Sequence, residues 1–209
     1  MSRKVFDKLT SLGGVALVVV LLVAGGLLAW GHSYTNSSVR NQLVGQQIYF
    51  PTAAVLKTAT RNNTGEIQAR MLPYLDQYAG QQVLTGAQAE AYADHFIAYH
   101  LAVMPYGGVY SKVSGALMAA KPGSANAASL ATLQDTVFKG TTLRGLLLEA
   151  YGFSKIGSIM LFGAIASFIG AAILALLVAL GFSHASRTAE EEKLFARAGL
   201  LVEEPTPVA

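Results

Sequence analysis

Histidine and carboxylate side chains are the groups of this chain that could hold a metal ion. The sequence contains four histidines and no cysteine, which excludes iron–sulfur clusters, zinc fingers, a catalytic thiol and a disulfide framework. Glu90, Asp94 and His95 cluster on one predicted helix and could supply two ligands of a site completed from elsewhere. His95 and His100 lie five positions apart, about 140° around a regular helix, so they are not expected to bind one ion. We therefore predict no metal site and a helix face turned to solvent or to a partner.

Motifs for nucleophilic catalysis and for phosphate binding are also lacking. No serine lies in a Gly-x-Ser-x-Gly turn. The pairs Gly25-Gly26 and Gly107-Gly108 are not followed by the Lys-Ser/Thr of a phosphate-binding loop. A net charge of only +3, without a basic stripe, argues against nucleic-acid binding. We predict that the chain is not an enzyme and has no catalytic or cofactor-binding residues, with bound lipid left open.

The composition points to a membrane. Hydrophobic residues make up 53% of the chain and charged residues 13%, against about 25% charged residues in soluble domains. Residues 12–31 form an apolar run without a charged side chain, and at about 1.5 Å per residue a helix of this length measures roughly 30 Å, the thickness of a hydrocarbon core. A second uncharged apolar run covers residues 156–182. The sequence predicts two transmembrane helices.

A cleaved signal peptide is the alternative interpretation of the first run, since Arg3, Lys4 and Lys8 precede it and Ala29-Trp30-Gly31 resembles a cleavage site. The apolar core of a signal peptide spans about 7–15 residues, and this run is longer. We therefore expect residues 12–31 to persist as a membrane helix in the mature protein.

Basic residues near the ends of the two runs predict the orientation, because Lys and Arg accumulate in short cytoplasmic segments. The two tails carry more of them than the intervening segment does: Arg3, Lys4, Lys8, Arg187, Lys193 and Arg197 against Arg40, Arg144 and Lys155. We expect cytoplasmic tails at residues 1–11 and 183–209, with a short helix at 187–199. Residues 32–155 then form an extracytoplasmic domain, periplasmic in a bacterium, and the protein lies in the inner membrane.

Helical periodicity dominates this outer segment. The pattern predicts a helix from Thr64 to Gly80. Thr85 and Gln88 form a capping box at the start of a longer helix, which Pro105 and the following glycines end. Residues 40–63 show weak periodicity and are expected to form a juxtamembrane linker with at most one helix.

Two further helices are expected in the second half of the outer segment. Residues 109–120 form the first, ended by Lys121-Pro122-Gly123, and residues around 130–137 form the second. After Gly140, Thr141 or Thr142 is expected to cap a new helix that runs into the second span. The predicted fold class is therefore all-α, with two transmembrane helices flanking a small extracytoplasmic helical domain whose core is thin.

Small side chains recur every fourth residue in the second apolar run. The predicted helix-packing interface consists of Gly163, Ser167, Ala171, Ala175 and Ala179. Helices in lipid associate through close backbone approach, which small residues allow. The partner of this face is either the first span or another subunit. Neither run has an ionisable residue at its centre, so transport by this chain alone is not expected.

Three stretches of the sequence, 91–100, 107–113 and 141–148, resemble a family of small actinobacterial membrane proteins with two spans. Members of this family are often labelled aromatic ring-opening dioxygenases, and the resemblance covers roughly residues 85–185. A ring-opening dioxygenase needs iron held by histidines and a carboxylate, which the histidine spacing does not provide, so no catalytic residue is transferred from that label.

The mass, the two spans and the helical outer domain are also similar to those of accessory subunits of the actinobacterial respiratory supercomplex. This resemblance implies a non-catalytic accessory or assembly subunit that bridges or stabilises cytochrome bc and cytochrome c oxidase subunits in the electron-transport chain, with lipids and membrane subunits as partners. The alternative is a membrane-anchored extracytoplasmic sensor or ligand-binding protein that acts through a separate partner.

Overall fold

A computed structural model describes the backbone of residues 3–62 and 68–197, and the side chains of 9–57, 68–184 and 186. The elements follow one another along the chain as seven α-helices joined by short 3₁₀ and π segments within these ranges: α1 Arg3–Gln46, α2 Ala53–Asn62, a 3₁₀ turn Ala69–Met71, α3 Leu72–Leu75, a 3₁₀ turn Asp76–Tyr78, α4 Gly86–Tyr92, a π-helical turn Ala93–Ile97, α5 Ala98–Val103, a 3₁₀ turn Pro105–Gly108, α6 Tyr110–Ala119 and α7 Ala125–Arg197. No β-strand occurs in the described ranges, which confirms the all-α prediction.

The chain divides into two compact units. The helix-pair unit consists of Met1–Trp30 and Met160–Ala209, and the bundle unit consists of Gly31–Ile159. The two long helices, α1 and α7, each contribute one part to either unit.

The helix-pair unit contains the apolar parts of both long helices. Within the described residues, Leu9–Gln46 and Ala125–His184 are the helices long and apolar enough to cross a membrane. Their most apolar 18-residue windows are only 6% and 11% buried, whereas the core helix of a soluble protein hides its apolar side chains. The length and composition that a bilayer span requires are therefore present twice.

The bundle unit is built around an apolar core. Its fully or almost fully buried side chains come from both long helices and from the segments between them: Val39, Leu43, Phe50, Leu56, Met71, Leu75, Val83, Ile97, Leu101 and Leu147. At the edge of this core, two extended segments pair antiparallel. The Phe50 amide donates to the Gln81 carbonyl oxygen at 2.9 Å, and the Val83 amide donates to that of Ile48 at 2.8 Å.

The predicted capping box is confirmed. The Gln88 amide donates to Thr85 Oγ1 at 3.2 Å, and Gln88 Oε1 accepts the Thr85 amide at 3.1 Å. Buried Gln88 also donates through Nε2 to Gln81 Oε1 at 3.0 Å. The box therefore fixes both the start of α4 and the end of the extended segment before it.

The prediction of a linker at residues 40–63 was wrong in its first part. Helix α1 continues to Gln46, and the next residue, Gln47, has a positive φ of 52°. Helix α2, Ala53–Asn62, is the one helix expected there. Leu43, Phe50 and Leu56 of this segment lie in the bundle core, and tertiary packing of this kind overrides a weak periodicity.

The helix predicted from Thr64 to Gly80 was also wrong as one element. Its first residues lie outside the described part of the chain, and the remainder is three short segments. Pro73, near the start of α3, has no amide proton to donate to the preceding turn. Gly80, with a φ of 71°, ends the series as predicted.

Helix α7 corrects the prediction of a break after Gly140. One helix runs from Ala125 to Arg197, so the predicted fourth helix, the threonine cap and the separate tail helix at 187–199 belong to a single element. Residues 198 and 199 of that tail helix lie beyond the described ranges. A Cβ atom on Gly140 would lie 2.9 Å from Leu101 Cδ2. The glycine therefore allows α7 and α5 to approach closely, at an intrinsic cost of about 1 kcal/mol for a helical glycine.

Candidate functional site

Of the three side chains considered as metal ligands, Glu90 lies in α4, whereas Asp94 and His95 lie on a π-helical turn, Ala93–Ile97. Its extra residue per turn shows in the backbone, where the Ala98 amide donates to the Ala93 carbonyl oxygen five residues earlier. Turns of this kind are rare and occur frequently at functional sites. The helix is therefore not regular between His95 and His100, whereas the angle of about 140° expected from the sequence applies to a regular helix.

Asp94 forms an ion pair with Arg144 of α7. Arg144 Nη2 donates to Asp94 Oδ1 at 2.7 Å, and the two side chains are 39% and 36% exposed. Arg144 Nε is buried without a hydrogen-bond partner among the described residues. A half-exposed pair of this kind contributes about 0–1 kcal/mol, so its main effect is to position the π turn against α7.

His95 stacks on Tyr74 of α3. The ring centroids are 3.4 Å apart and the ring planes are inclined by 7°. His100 takes another contact: its Nδ1 lies 2.6 Å from the Phe96 carbonyl oxygen, so Nδ1 carries the proton and donates. The two histidines are therefore engaged with different groups, and the arrangement joins α3, the π turn and α5.

These contacts bear on the metal hypothesis for Glu90, Asp94 and His95. No group of three or more His, Asp or Glu side chains that could hold a metal ion occurs in the described part of the chain. The Asp94 carboxylate faces a guanidinium, and the His95 ring faces a phenol. The Asp94 and His95 side chains therefore connect helices in this structure.

A partly buried tyrosine at the end of α4 lies beside the π turn. Tyr92 meets Phe50 edge to face, with ring centroids 5.4 Å apart and planes at 84°, and it also contacts Phe96 at 4.7 Å. Burial raises the pKa of the Tyr92 phenol above its ordinary value of 10.0. The phenol is therefore neutral and belongs to the aromatic edge of the core.

His32 was missed as a positioning residue by sequence analysis. Its Nδ1 lies 2.8 Å from the Gly157 carbonyl oxygen of α7, and its Nε2 lies 3.2 Å from Asn36 Nδ2. Both contacts fit one neutral tautomer, in which Nδ1 donates and Nε2 accepts. A Cβ atom on Gly157 would lie 3.3 Å from Thr35 Cβ, so α1 and α7 approach closely at this level. Because His32 and Gly157 are 125 positions apart, no local sequence pattern predicts this contact.

The five residues of the predicted packing interface lie in α7, within the helix-pair unit. Ala171 is 2% exposed, Gly163 and Ser167 are partly buried, and Ala175 and Ala179 are exposed. A Cβ atom on Gly163 would lie 3.1 Å from Leu28 Cδ1 of α1. Gly163 therefore lies close to Leu28 of α1, and Ala171 is enclosed within the helix pair.

Geometry explains why the repeat spreads around the helix. Positions four apart advance about 400° at 3.6 residues per turn, so each step rotates the series by about 40°. Ala175 and Ala179 lie along a groove with other side chains of the pair: Val15, Val18, Val19, Val178 and Phe182.

The face of α7 turned toward α1 follows a seven-residue spacing instead. Ala164 and Ala171 are each 2% exposed, and Val178 contacts Gly14 of α1. Residues seven apart drift by only about 20° around a straight helix, so they stay on one face. The seven-residue spacing of Ala164, Ala171 and Val178 is visible in the sequence.

A groove lies between α1 and α7 in the bundle unit. Its volume is ≈ 360 Å³, and apolar and polar side chains from both helices line it: Tyr34, Thr35, Ser38, Val39, Gln42, Leu43, Gln46, Leu146, Glu149, Ala150 and Phe153. Glu149 is the acidic group at its rim and is exposed. The groove could accept an amphipathic molecule.

Comparison with known proteins gives no family to which these features can be referred. The chain matches no protein-family model, no curated protein and no solved structure.

Proposed function

We propose that this chain crosses the inner membrane twice and acts as a non-catalytic accessory subunit that holds parts of a larger membrane complex together. The observation that carries the proposal is the exposure of the most apolar windows of α1 and α7, which are 6% and 11% buried. Apolar surface of this extent is stable in contact with lipid or with other membrane helices.

The proposed orientation places both tails in the cytoplasm and the bundle unit on the outer face. It is supported by the excess of Lys and Arg in the tails, six against three on the flanks of the intervening segment. The predicted boundaries, with spans at 12–31 and 156–182, remain part of this proposal.

The accessory role is supported by how the polar side chains of the bundle unit are used. Asp94 contacts Arg144, His95 contacts Tyr74 and His32 contacts Gly157. Each of these contacts joins segments that are distant in sequence. In the proposal the bundle unit is a rigid outer body that is carried to a partner by the two spans.

Cytochrome bc and cytochrome c oxidase subunits are the partners proposed, on the resemblance to supercomplex accessory subunits. The test is to tag the chain in its native host, extract membranes in a mild detergent and analyse the recovered proteins by mass spectrometry and haem absorption spectra. Recovery of both haem-bearing complexes in constant ratio to the tagged chain is expected. Recovery of the chain alone at every detergent level would contradict the proposal.

Deletion of the gene adds a second measurement. We expect the bc complex and the oxidase to remain present but to migrate separately on a native gel, since the chain contributes contacts and no reaction. Unchanged co-migration would count against a bridging role.

A membrane-anchored ligand-binding protein is the second candidate, and the groove between α1 and α7 favours it. Native mass spectrometry of the detergent-purified chain tests this function directly. A bound molecule that disappears in Ala150→Trp, which fills the groove, would support ligand binding. The absence of any bound molecule, or the same bound molecule on both chains, would oppose it.

A further inference from the structure

Helix α6 and the first part of α7 form a two-helix arm, defined as residues 109–139. Its buried apolar side chains are Val113, Leu130 and Val137, none of which belongs to the main core of the bundle unit. The arm therefore has only a small core of its own, and a two-helix element of this size leaves much of its surface uncovered.

Large apolar side chains lie on that uncovered surface. Met118 is 81% exposed and Phe138 is 55% exposed. Tyr110 lies beside Phe138, with ring centroids 5.9 Å apart, and its hydroxyl accepts a hydrogen bond from Gln134 Nε2 at 3.4 Å. Exposed tyrosine, phenylalanine and methionine side chains are enriched where proteins bind one another.

The charge of the arm is positive. It contains Lys112, Lys121 and Lys139 against Asp135, a net charge of 3 − 1 = +2. Lys139 pairs with Asp135 at 2.6 Å, whereas Lys112 and Lys121 are exposed and have no ion pair within the described residues. The complementary surface is acidic.

The membrane that the chain is proposed to cross is an unsuitable partner for the arm, because a long stretch of α7 lies between the arm and the second apolar run. Lys139 precedes Ile156, the first residue of the second apolar run, by 17 positions of uninterrupted helix, and at about 1.5 Å per residue this is roughly 25 Å. Direct pairing of two arms would bring like charges together. A different protein with carboxylates above the membrane surface fits best.

We infer that residues 109–139 dock on an acidic surface of a neighbouring subunit, with Tyr110 and Phe138 as apolar anchors and Lys112 and Lys121 facing carboxylates. This inference rests on the proposed function, since it identifies which part of the accessory subunit grips its partner. Charged side chains at the rim fix the register, while the aromatic side chains lose contact with water.

The test uses the full-length tagged chain in native membranes with a zero-length carbodiimide, which joins an amine directly to a carboxylate. Peptide mapping is expected to find Lys112 or Lys121 joined to Asp or Glu of a second polypeptide. Links only to another copy of this chain, or no links at these lysines, would overturn the inference.

A double charge reversal, Lys112→Glu with Lys121→Glu, tests the same contact without a cross-linking reagent. Recovery of the cross-linked partner in mild detergent is expected to fall about tenfold or more, because facing like charges are strongly unfavourable. The matched control is Arg40→Glu with Lys57→Glu, two exposed basic residues of the bundle unit outside the arm, which should leave recovery unchanged. Equal yield and equal helical content by circular dichroism show that both variants fold.

Phe138→Ser removes one apolar anchor and keeps the charge of the arm, and partner recovery should fall with it. If the wild-type chain recovers its partner and the charge reversal recovers it equally, the inference about the arm is wrong and the proposed function stands. If the wild-type chain recovers no partner, both are wrong. Equal loss in the control pair would likewise overturn the specific role of the arm.

Discussion

The helix-pair unit and the bundle unit place their apolar side chains in opposite ways. In the bundle unit Leu56, Leu75 and Leu147 are completely buried, and polar contacts such as His32 to Gly157 join the helices. In the helix-pair unit the apolar side chains face outward, and alanine and glycine lie between α1 and α7. The hydrophobic effect therefore stabilises the bundle unit, whereas close packing of small residues holds α1 and α7 together in the helix-pair unit.

The largest effect is expected from truncating the core of the bundle unit. Leu75→Ala removes a completely buried side chain, and substitutions of this kind cost about 2–5 kcal/mol of unfolding free energy. Leu176→Ala in the helix-pair unit is the matched control, since Leu176 is exposed. Thermal unfolding in detergent measures both, and a control as destabilised as Leu75→Ala would break the comparison between the units.

A substitution that enlarges a small residue tests the packing of α7 against α1 in the helix-pair unit. Ala171→Leu inserts bulk where α7 approaches α1, and we expect a loss of about 1–3 kcal/mol in the helix-pair unit. Ala175→Leu adds the same atoms at an exposed position of the same helix and should change little. Titration with a denaturing detergent gives both values; equal losses would mean that α1 and α7 do not pack through Ala171.

The polar contact between α1 and α7 is expected to have a moderate effect. His32→Ala removes the donor to Gly157 and the acceptor of Asn36 Nδ2, which amounts to about 0.5–1.5 kcal/mol for each net hydrogen bond. Ser33→Ala, at an exposed neighbouring position, is the control. Unfolding free energies that agree for the two variants would show that the His32 contact does not stabilise the bundle unit.

The smallest effect is a dependence of stability on pH. Because burial raises the pKa of Tyr92 above 10.0, the folded chain keeps this proton at a pH where the unfolded chain has lost it. The folded state then binds more protons, so the unfolding free energy falls as pH rises above 10.0 and levels off above the folded pKa. Unfolding measured on both sides of that pH should show a weaker fall in Tyr92→Phe than in Tyr49→Phe, whose ring is exposed.

Local sequence signals predicted those features that local energies decide. The capping box of Thr85 and Gln88, the end of α5 before Pro105 and the end of α6 before Lys121 were all predictable. The apolar runs within α1 and α7 were equally visible, because hydropathy is a sum over neighbouring residues.

Features that depend on distant contacts were not predictable in this way. Gly140 was interpreted as a helix end because glycine weakens helices, yet it lies against Leu101 inside α7. The pairing of residues 48–51 with 80–83 and the π turn at Ala93–Ile97 have no signature in their own sequences. The rotation of the four-residue repeat by about 40° at each step follows from helix geometry alone, and its role as a packing interface stays a prediction.

Chemical labelling of single cysteines tests the central claim, that α1 and α7 cross the membrane and leave the bundle unit outside. The chain has no cysteine, so Ala53→Cys in the bundle unit, outside the arm, and Ser186→Cys near the end of α7 each provide one reactive thiol at an exposed position. With a membrane-impermeant maleimide on intact spheroplasts, we expect Ala53→Cys to react at once and Ser186→Cys to react only after the membrane is opened. Equal reactivity of the two before lysis, or the reverse order, would contradict the account.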